Sequence, residues 1–435
     1  MPIAAIPAYL NEDFSDASPG LRFGMYLKLW GVNRRTRALL WTTHDVDYAV
    51  RGQQHDEREV NSENKVSALE EAKALGERNK ECMKALVERQ LTLAKAIPNL
   101  LCLNAKSIAP FTTGLGNEHP LENGFAFLNP YGLPYLPGSG VKGVLRQAAR
   151  ELASGEWGDA KGWNDEERFP LMQGKGEKRK SVMNKHNEPV MLSLLDILFG
   201  RESQDGDSEH LHGTLSFWDV IPQIKGDNLM VEIMTPHQSH YYQQKRDRKS
   251  GTSVSPHDSG SPTPISFLTV PPGSTFSFFV TCDRDLLGRH APELMQNERW
   301  KTLLQATFEH AFEWLGFGAK TAVGYGAMES DAMGEARRKN DEERRAHQVA
   351  EAKLAEEARQ EAEATPWPGA RLKFNRANKS LSAEKDGKMA TVGAPKAERM
   401  LASLPSEVRK KVETNQYVKA TAYVSGYVLV RIEIA

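Results

Sequence analysis

The stretch Leu133–Arg150, LPYLPGSGVKGVLRQAAR, constrains this chain more than any other. It reads as the end of one element, a tight turn and the start of a helix. Pro137 fixes φ and Gly138 tolerates positive φ, which marks the turn. Ser139 then suits the N-cap position, where its hydroxyl accepts an orphan backbone N–H. Val141, Val144, Leu145 and Ala148 recur at helical spacing, with Lys142, Arg146 and Arg150 along the flank. A helix start of this kind offers free N–H groups and the positive end of the macrodipole beside two cations, so it suits a phosphate. The same spacing also describes an ordinary capped helix with surface cations, and spacing alone does not separate the two.

The 435 residues are enough for two or three domains, or for one domain with additions. A net charge of −1 excludes a global basic signature, so any polyanion site has to come from local clustering. Cys82, Cys102 and Cys282 are isolated, without pairing pattern or metal spacing, and suit reduced thiols in a cytoplasmic protein. The first residues lack a charged segment followed by a long apolar one, so no signal peptide is expected. No run approaches the ~18 apolar residues of a membrane span, so no membrane partner is expected either.

Along the chain four regions are expected: 1–98, an extension with a long helix; 99–330, the main core; 331–365, a charged helical linker; and 366–435, a small basic α+β module. In the first region Arg34, Arg35 and Arg37 form a basic cluster. His44, Asp45 and Asp47 have the look of a metal or acid/base group, but short His–Asp spacings are common and no further ligand group is indicated. Residues 66–96 carry Leu69, Leu75, Met83, Leu86, Leu91 and Leu93 at helical spacing, ending before Pro98. From Asn99 the pattern changes to a strand, LLCLNAKSI, then a glycine-bearing loop with Gly114 and Gly116 and an expected hairpin.

Residues 154–190 read as a long exposed insertion with a basic stretch at Lys175, Lys178, Arg179 and Lys180. A buried helix is expected over Met191–Gly200, strands over His212–Pro222 and from Leu229, and a mobile polar loop over 243–264. Ile265–Cys282 reads as two strands joined by a PPG turn, and Trp300–Trp314 as an amphipathic helix. That helix runs into GFGAKTAVGYG, with glycines at 316, 318, 324 and 326 and Lys320, Thr321 and Tyr325 between them. Glycine-rich backbone can present successive N–H groups to an anion. This loop is neither a phosphate-binding P-loop nor a dinucleotide fingerprint, since the residue order differs and it follows a helix.

Residues 331–364 hold ten acidic and seven basic side chains around little more than Val349 and Leu354, too thin a stripe for a coiled coil. They suit a single solvated helix supported by i,i+4 ion pairs. Residues 366–435 carry thirteen Lys or Arg against six Asp or Glu, a balance of +7 in a neutral chain, which fits an appendage facing RNA or protein.

Four stretches occur in order: GLPYLPGSGVKGVLR; LFG followed by GTLSFWDVIP; MTPHQSHYY; and GFGAKTAVGYG. Together they resemble the RAMP superfamily of CRISPR proteins, and the MTPH…YY element resembles most the sixth-subunit family of Cmr (type III-B) effector complexes. The resemblance spans about 99–330. It implies an α+β class, with a ferredoxin-like, RRM-related antiparallel sheet and helices. It also implies a subunit without chemistry or cofactor of its own. Such a subunit contacts guide RNA near its 3′ end and helps hold guide and target RNA among the other Cmr-type subunits. The family's first glycine turn falls on Gly138, Ser139, Lys142, Gly143 and Arg146, with Gly140 where the family often has a second serine. Its terminal loop falls on Gly316, Gly318, Lys320, Thr321, Gly324, Tyr325 and Gly326, and its PH…YY element on Pro236, His237, Tyr241 and Tyr242. Lys142, Arg146 and Lys320 supply charge for phosphate, hydroxyls and glycine N–H groups supply donors, and the tyrosines suit base stacking or core packing.

Two enzymatic readings compete. A metal-independent ribonuclease needs a general base near a 2′-OH, for which His44, His119 and His237 are the candidates. Cleavage of target RNA by a loop carboxylate needs Asp258 or Glu118, neither with a supporting constellation in the sequence.

Overall fold

The computed structural model describes residues 9, 14–27, 30–32, 39–41, 64–121, 123–174, 180–184, 186–201, 210–235 and 264–434. The readings at Arg34, Arg35, Arg37, His44, Asp45, Asp47, Lys175, Lys178, Arg179, Pro236, His237, Tyr241, Tyr242 and Asp258, and nearly all of the 243–264 loop, lie outside the described residues. The chain divides into two compact units, Met1–Gly334 and Glu335–Ala435.

The first unit opens with helix α1 (Pro19–Phe23), followed by α2 (Asn64–Ala72) and α3 (Glu77–Ala96). The single helix expected over 66–96 is therefore two. The chain leaves helix at Lys73–Leu75 to pair with a distant strand entry, through Ala74 bridging Asn228, Leu75 N–H donating to Asp227 O and Leu229 N–H donating to Lys73 O. Local periodicity carries no trace of a partner about 150 residues away.

Strand β1 (Leu101–Ser107) comes next, then α4 (Gly138–Ser154), which stops at Gly155 in the left-handed conformation. Over Met191–Gly200 the expected helix is shorter. Met191–Ser193 is strand, and Ser193 starts helix α5 (Leu194–Phe199) with a full capping box to Asp196. Residues 154–190 are not a free insertion. Trp163, Phe169, Leu171 and Val190 are buried there, the Trp163 indole donates to Leu303 O and Thr307 Oγ1, and Glu167 takes both ends of the Arg299 guanidinium at 2.8 and 2.7 Å.

Strands β2 (Leu215–Phe217), β3 (Met230–Met234), β4 (Ile265–Thr269) and β5 (Thr275–Cys282) precede helices α6 (Arg284–His290) and α7 (Arg299–His310) and strand β6 (Met328–Ser330). The sheet order is β2-β5-β1-β6, antiparallel throughout, with β3 and β4 forming a separate ribbon. This is the expected α+β antiparallel core. Alternation along β5 sends Phe276, Phe278 and Val280 to one buried face, and α4 and α7 pack together beside it. On α4 the buried residues are Val141, Leu145, Ala148, Ala149 and Leu152.

The charged run forms helix α8 (Asp331–Ala362), whose first turn belongs to the first unit and whose remainder opens the second; it is exposed along nearly its whole length and carries the i,i+4 pair Arg359–Glu363. Strands β7 (Thr365–Asn375), β8 (Ser380–Lys385) and β9 (Lys388–Val392), helices α9 (Lys396–Ala402) and α10 (Ser406–Glu413), and strands β10 (Lys419–Ser425) and β11 (Val428–Glu433) follow. The five strands close into a barrel of order β7-β8-β9-β11-β10. Its interior is lined by small and branched residues, among them Ala370, Ala383, Ala390, Ala420, Ala422, Leu372, Leu381 and Leu429. The closure rests on β7 pairing with β10 across about fifty residues.

Leu145 is fully buried where α4 meets the core. Leu145→Ala is expected to cost about 2–5 kcal/mol of stability, through lost transfer energy and the cavity left behind. Urea unfolding followed by tryptophan fluorescence checks this, and an unchanged midpoint would contradict the packing described.

Candidate nucleic-acid interface

Helix α4 opens at Gly138 with Pro137 at its N-cap and no side-chain cap, so Ser139 does not cap it. The Gly138 N–H donates instead to Asp219 Oδ1 at 2.7 Å, while the Gly140 and Val141 N–H groups donate to Pro137 O. The reason is steric: a Cβ on Gly138 would stand 2.2 Å from the Phe217 carbonyl oxygen, so only glycine lets the turn lie against the exit of β2, under Asp219. A carboxylate thus already sits at the positive end of the helix. Ser139 and Gly143 are exposed, while Gly140, Lys142 and Arg146 are half-buried. The Arg146 Nε is enclosed without a hydrogen-bond partner.

The second turn leaves α7 through a wider π turn, Ala311–Leu315. Phe317 then inserts fully into the core, with its ring centroid 5.0 Å from Phe278, 5.6 Å from Phe312 and 6.3 Å from Phe308. The flanking glycines make room for it. A Cβ on Gly326 would stand 1.8 Å from Phe317 O, and the Phe317 N–H donates to Gly326 O at 2.9 Å. Gly316, Gly318 and Gly324 also take positive φ, and so does Lys320, at 60°. The loop is held from outside as well: Ala319 N–H donates to Thr112 O and Gly326 N–H to Pro110 O. Between these anchors, Thr321 and Tyr325 are half-buried and Val323 is 72% exposed.

The loop meets the ribbon that leads toward the PH…YY element. Lys320 Nζ lies 2.9 Å from Met234 Sδ and 5.7 Å from the centre of the Phe267 ring. The Tyr325 ring lies 5.7 Å from Phe267. Partial burial, and the charge of the Glu232 carboxylate to which the hydroxyl is hydrogen-bonded, push Tyr325 above its usual pKa. The two glycine turns themselves dock on different parts of the core: the first on the exit of β2, the second on Phe111–Thr112 and β4. Among the described residues no hydrogen bond joins them.

His119 is committed to the fold. Its ring stacks on Phe23 at 3.8 Å, one nitrogen bonds Phe23 O at 2.9 Å and the other accepts from Leu121 N–H at 3.2 Å. Burial lowers its pKa, the Phe23 carbonyl opposing the shift only in part. Glu118 is exposed. Among the described residues, no group of three or more His, Cys, Asp or Glu is placed to hold a metal ion, and no helix is long and apolar enough to cross a membrane. Glu232 and Phe267 lie outside the quoted motifs, and Asp219 and Phe317, though inside them, show no role in sequence, because each acts on partners distant in sequence or buried in the core.

The family model of the RAMP superfamily matches residues 104–329, half of the chain, and the chain belongs to that superfamily. Within it, the chain is 29% identical over 248 residues to the CRISPR system Cmr subunit Cmr6 of Pyrococcus furiosus; the match covers 51% of this chain and 66% of that protein, just under two thirds of its length. Among solved structures, the crystal structure of Cmr6 from Pyrococcus furiosus is 25% identical, covering 53% of this chain and 97% of that one, at a TM-score of 0.27. The cryo-EM structure of the type III-B Cmr-beta bound to cognate target RNA is 17% identical, covering 64% of this chain and 76% of its own, at a TM-score of 0.37.

Because folding lowers the pKa of His119, the folded chain binds that proton less readily than the unfolded chain. Its contribution to stability is whole above the ordinary imidazole value of about 6.5 and shrinks as pH falls below it. His119→Gln is expected to flatten the decline in urea midpoint between pH 7.5 and 5.5. Equal declines in both proteins would contradict the assignment.

Proposed function

We propose that this chain is a non-catalytic RNA-binding subunit of a type III-B CRISPR effector complex, contacting guide RNA near its 3′ end and helping to assemble the backbone that holds guide and target. The observation that carries this reading is the superfamily match over 104–329, which contains the first glycine turn, the PH…YY element and the glycine-rich loop together. A guide held regardless of sequence is gripped through phosphate and 2′-OH contacts and by stacking. The candidate residues are of the right kinds: Lys142, Arg146 and Lys320 for phosphate, Ser139 and Thr321 as hydroxyl donors, and Tyr325 for stacking. His237, Tyr241 and Tyr242 complete the proposed set from the sequence.

Of the three candidate bases, His119 is the one among the described residues, and its engagement supports the non-catalytic part: its two ring nitrogens are both taken and its proton affinity is lowered by burial. Such a histidine is poorly placed to take a proton from a 2′-OH. Repeat RNA incubated with the protein alone is expected to stay intact.

The test is co-expression with companion subunits and recovery of the small RNA that co-purifies. Lys142→Ala with Arg146→Ala, and separately Lys320→Ala, are expected to lower RNA recovery for all guide sequences alike. Each lost phosphate contact should also flatten the salt dependence of binding by about one. RNA recovery equal to wild type in both variants would sink the proposed site.

A further inference from the structure

We propose that the barrel of the second unit is a separate binding site for single-stranded nucleic acid, laid along the outer ridge of β10. The barrel lies outside the region matched to the superfamily, so the inference stands apart from the function proposed above. The strand order β7-β8-β9-β11-β10, with β9 parallel to β11 and the helices α9 and α10 between the third and fourth strands, is the connectivity of the oligonucleotide- and oligosaccharide-binding barrel. Topology does not assign a ligand, and the surface chemistry has to.

That chemistry is concentrated on one ridge. Along β10 the residues Ala420, Ala422 and Val424 point into the barrel, which turns Lys419, Thr421, Tyr423 and Ser425 outward. Tyr417 precedes them in the same phase and is 60% exposed, and Tyr427, in the turn that follows, is 84% exposed. Tyr417 to Tyr423 spans about 20 Å at the rise of a strand. Cations are interleaved with the rings. The Arg371 guanidinium lies 5.4 Å and Lys419 Nζ 5.9 Å from the Tyr417 ring centre, and the Arg431 guanidinium lies 4.0 Å from that of Tyr423. Arg371 and Lys419 are direct cross-strand neighbours, and the Arg371 Nε has no hydrogen-bond partner.

Two carboxylates temper the charge. Glu433 accepts from the Tyr423 hydroxyl at 2.9 Å and pairs with Arg431 at 3.1 Å, and Glu384 is paired with Lys373. The excess on the ridge therefore comes from Arg371 and Lys419, within a segment whose balance is +7. By contrast, the β8–β9 surface turns out Ser380, Ser382, Met389 and Thr391 and carries no aromatic ring. Rings alternating with cations suit a flexible chain of bases and phosphates, because bases stack on tyrosine whatever their sequence. Thr421 and Ser425 add hydroxyls within reach of the sugar edge.

The full-length protein is irradiated with labelled 15-nucleotide oligouridine, and with oligothymidine, and crosslinked peptides are mapped by mass spectrometry. Crosslinks are expected at Tyr417, Tyr423 or Tyr427 with either polymer, and the stronger of the two names the natural class. Tyr417→Ala with Tyr423→Ala should cut crosslinking to residues 366–435 at least tenfold, whereas Tyr417→Phe with Tyr423→Phe should retain it, since stacking needs the ring and not the hydroxyl. A fully paired duplex, whose bases cannot stack on the ridge, should crosslink at least tenfold less. Crosslinks around 138–146 or 316–326 report on the first unit, so each site fails on its own. The proposal is overturned by absence of crosslinks in 366–435, by an alanine variant that behaves as wild type, by a phenylalanine variant as impaired as the alanine one, or by equal labelling of duplex.

Discussion

The fully buried ring of Phe317, wedged against Phe278, Phe308 and Phe312, is the contact on which the candidate interface depends. A buried phenylalanine contributes about 1.5–3 kcal/mol from transfer alone, with ring–ring geometry adding to it. This one ties the end of α7 to the sheet and fixes where the loop re-emerges. The glycines on either side serve that anchoring first, since backbone passes within a distance that any Cβ would obstruct. Only the segment from Lys320 to Tyr325 is left to face outward, resting on Phe267, Met234 and Glu232. A glycine-rich loop can thus look like an anion cradle in sequence and act in the fold as a hinge around a buried ring.

The first glycine turn shows the same economy. An anion at a helix N-terminus is worth roughly 0.3–1 kcal/mol, and Asp219 already occupies that position on α4. A phosphate arriving there would meet a carboxylate. Under the proposed function, the flank of α4, with Lys142 and Arg146, is the better grip than the helix start. A side-chain grip of this kind is indifferent to base sequence, as a subunit holding many different guides requires.

Much of the architecture was legible in the residues. The apolar face of α4, the alternation along β5, the amphipathic run of α7 and the charged length of α8 all follow from local periodicity, which any tertiary setting has to respect. What was not legible depends on partners far along the chain. The break at Lys73–Leu75 exists because Asp227–Leu229 pairs there. The polar stretch 154–190 is pinned by four apolar side chains and one guanidinium–carboxylate pair that its composition hides. In sequence His119 is a candidate general base, and only the fold engages both of its ring nitrogens.

Sequence alone determined the class of fold, the superfamily resemblance and the residue types of the candidate interface, because these live in short motifs and in periodicity. Tertiary structure decided which of those residues remain available. It put Asp219 where a phosphate was expected, buried Phe317, brought Lys320 and Tyr325 to the ribbon of β3 and β4, and closed the last seventy residues into a barrel. The physical reason is common to all four: each rests on at least one contact between groups distant along the chain, and its free energy exists only once the chain has folded.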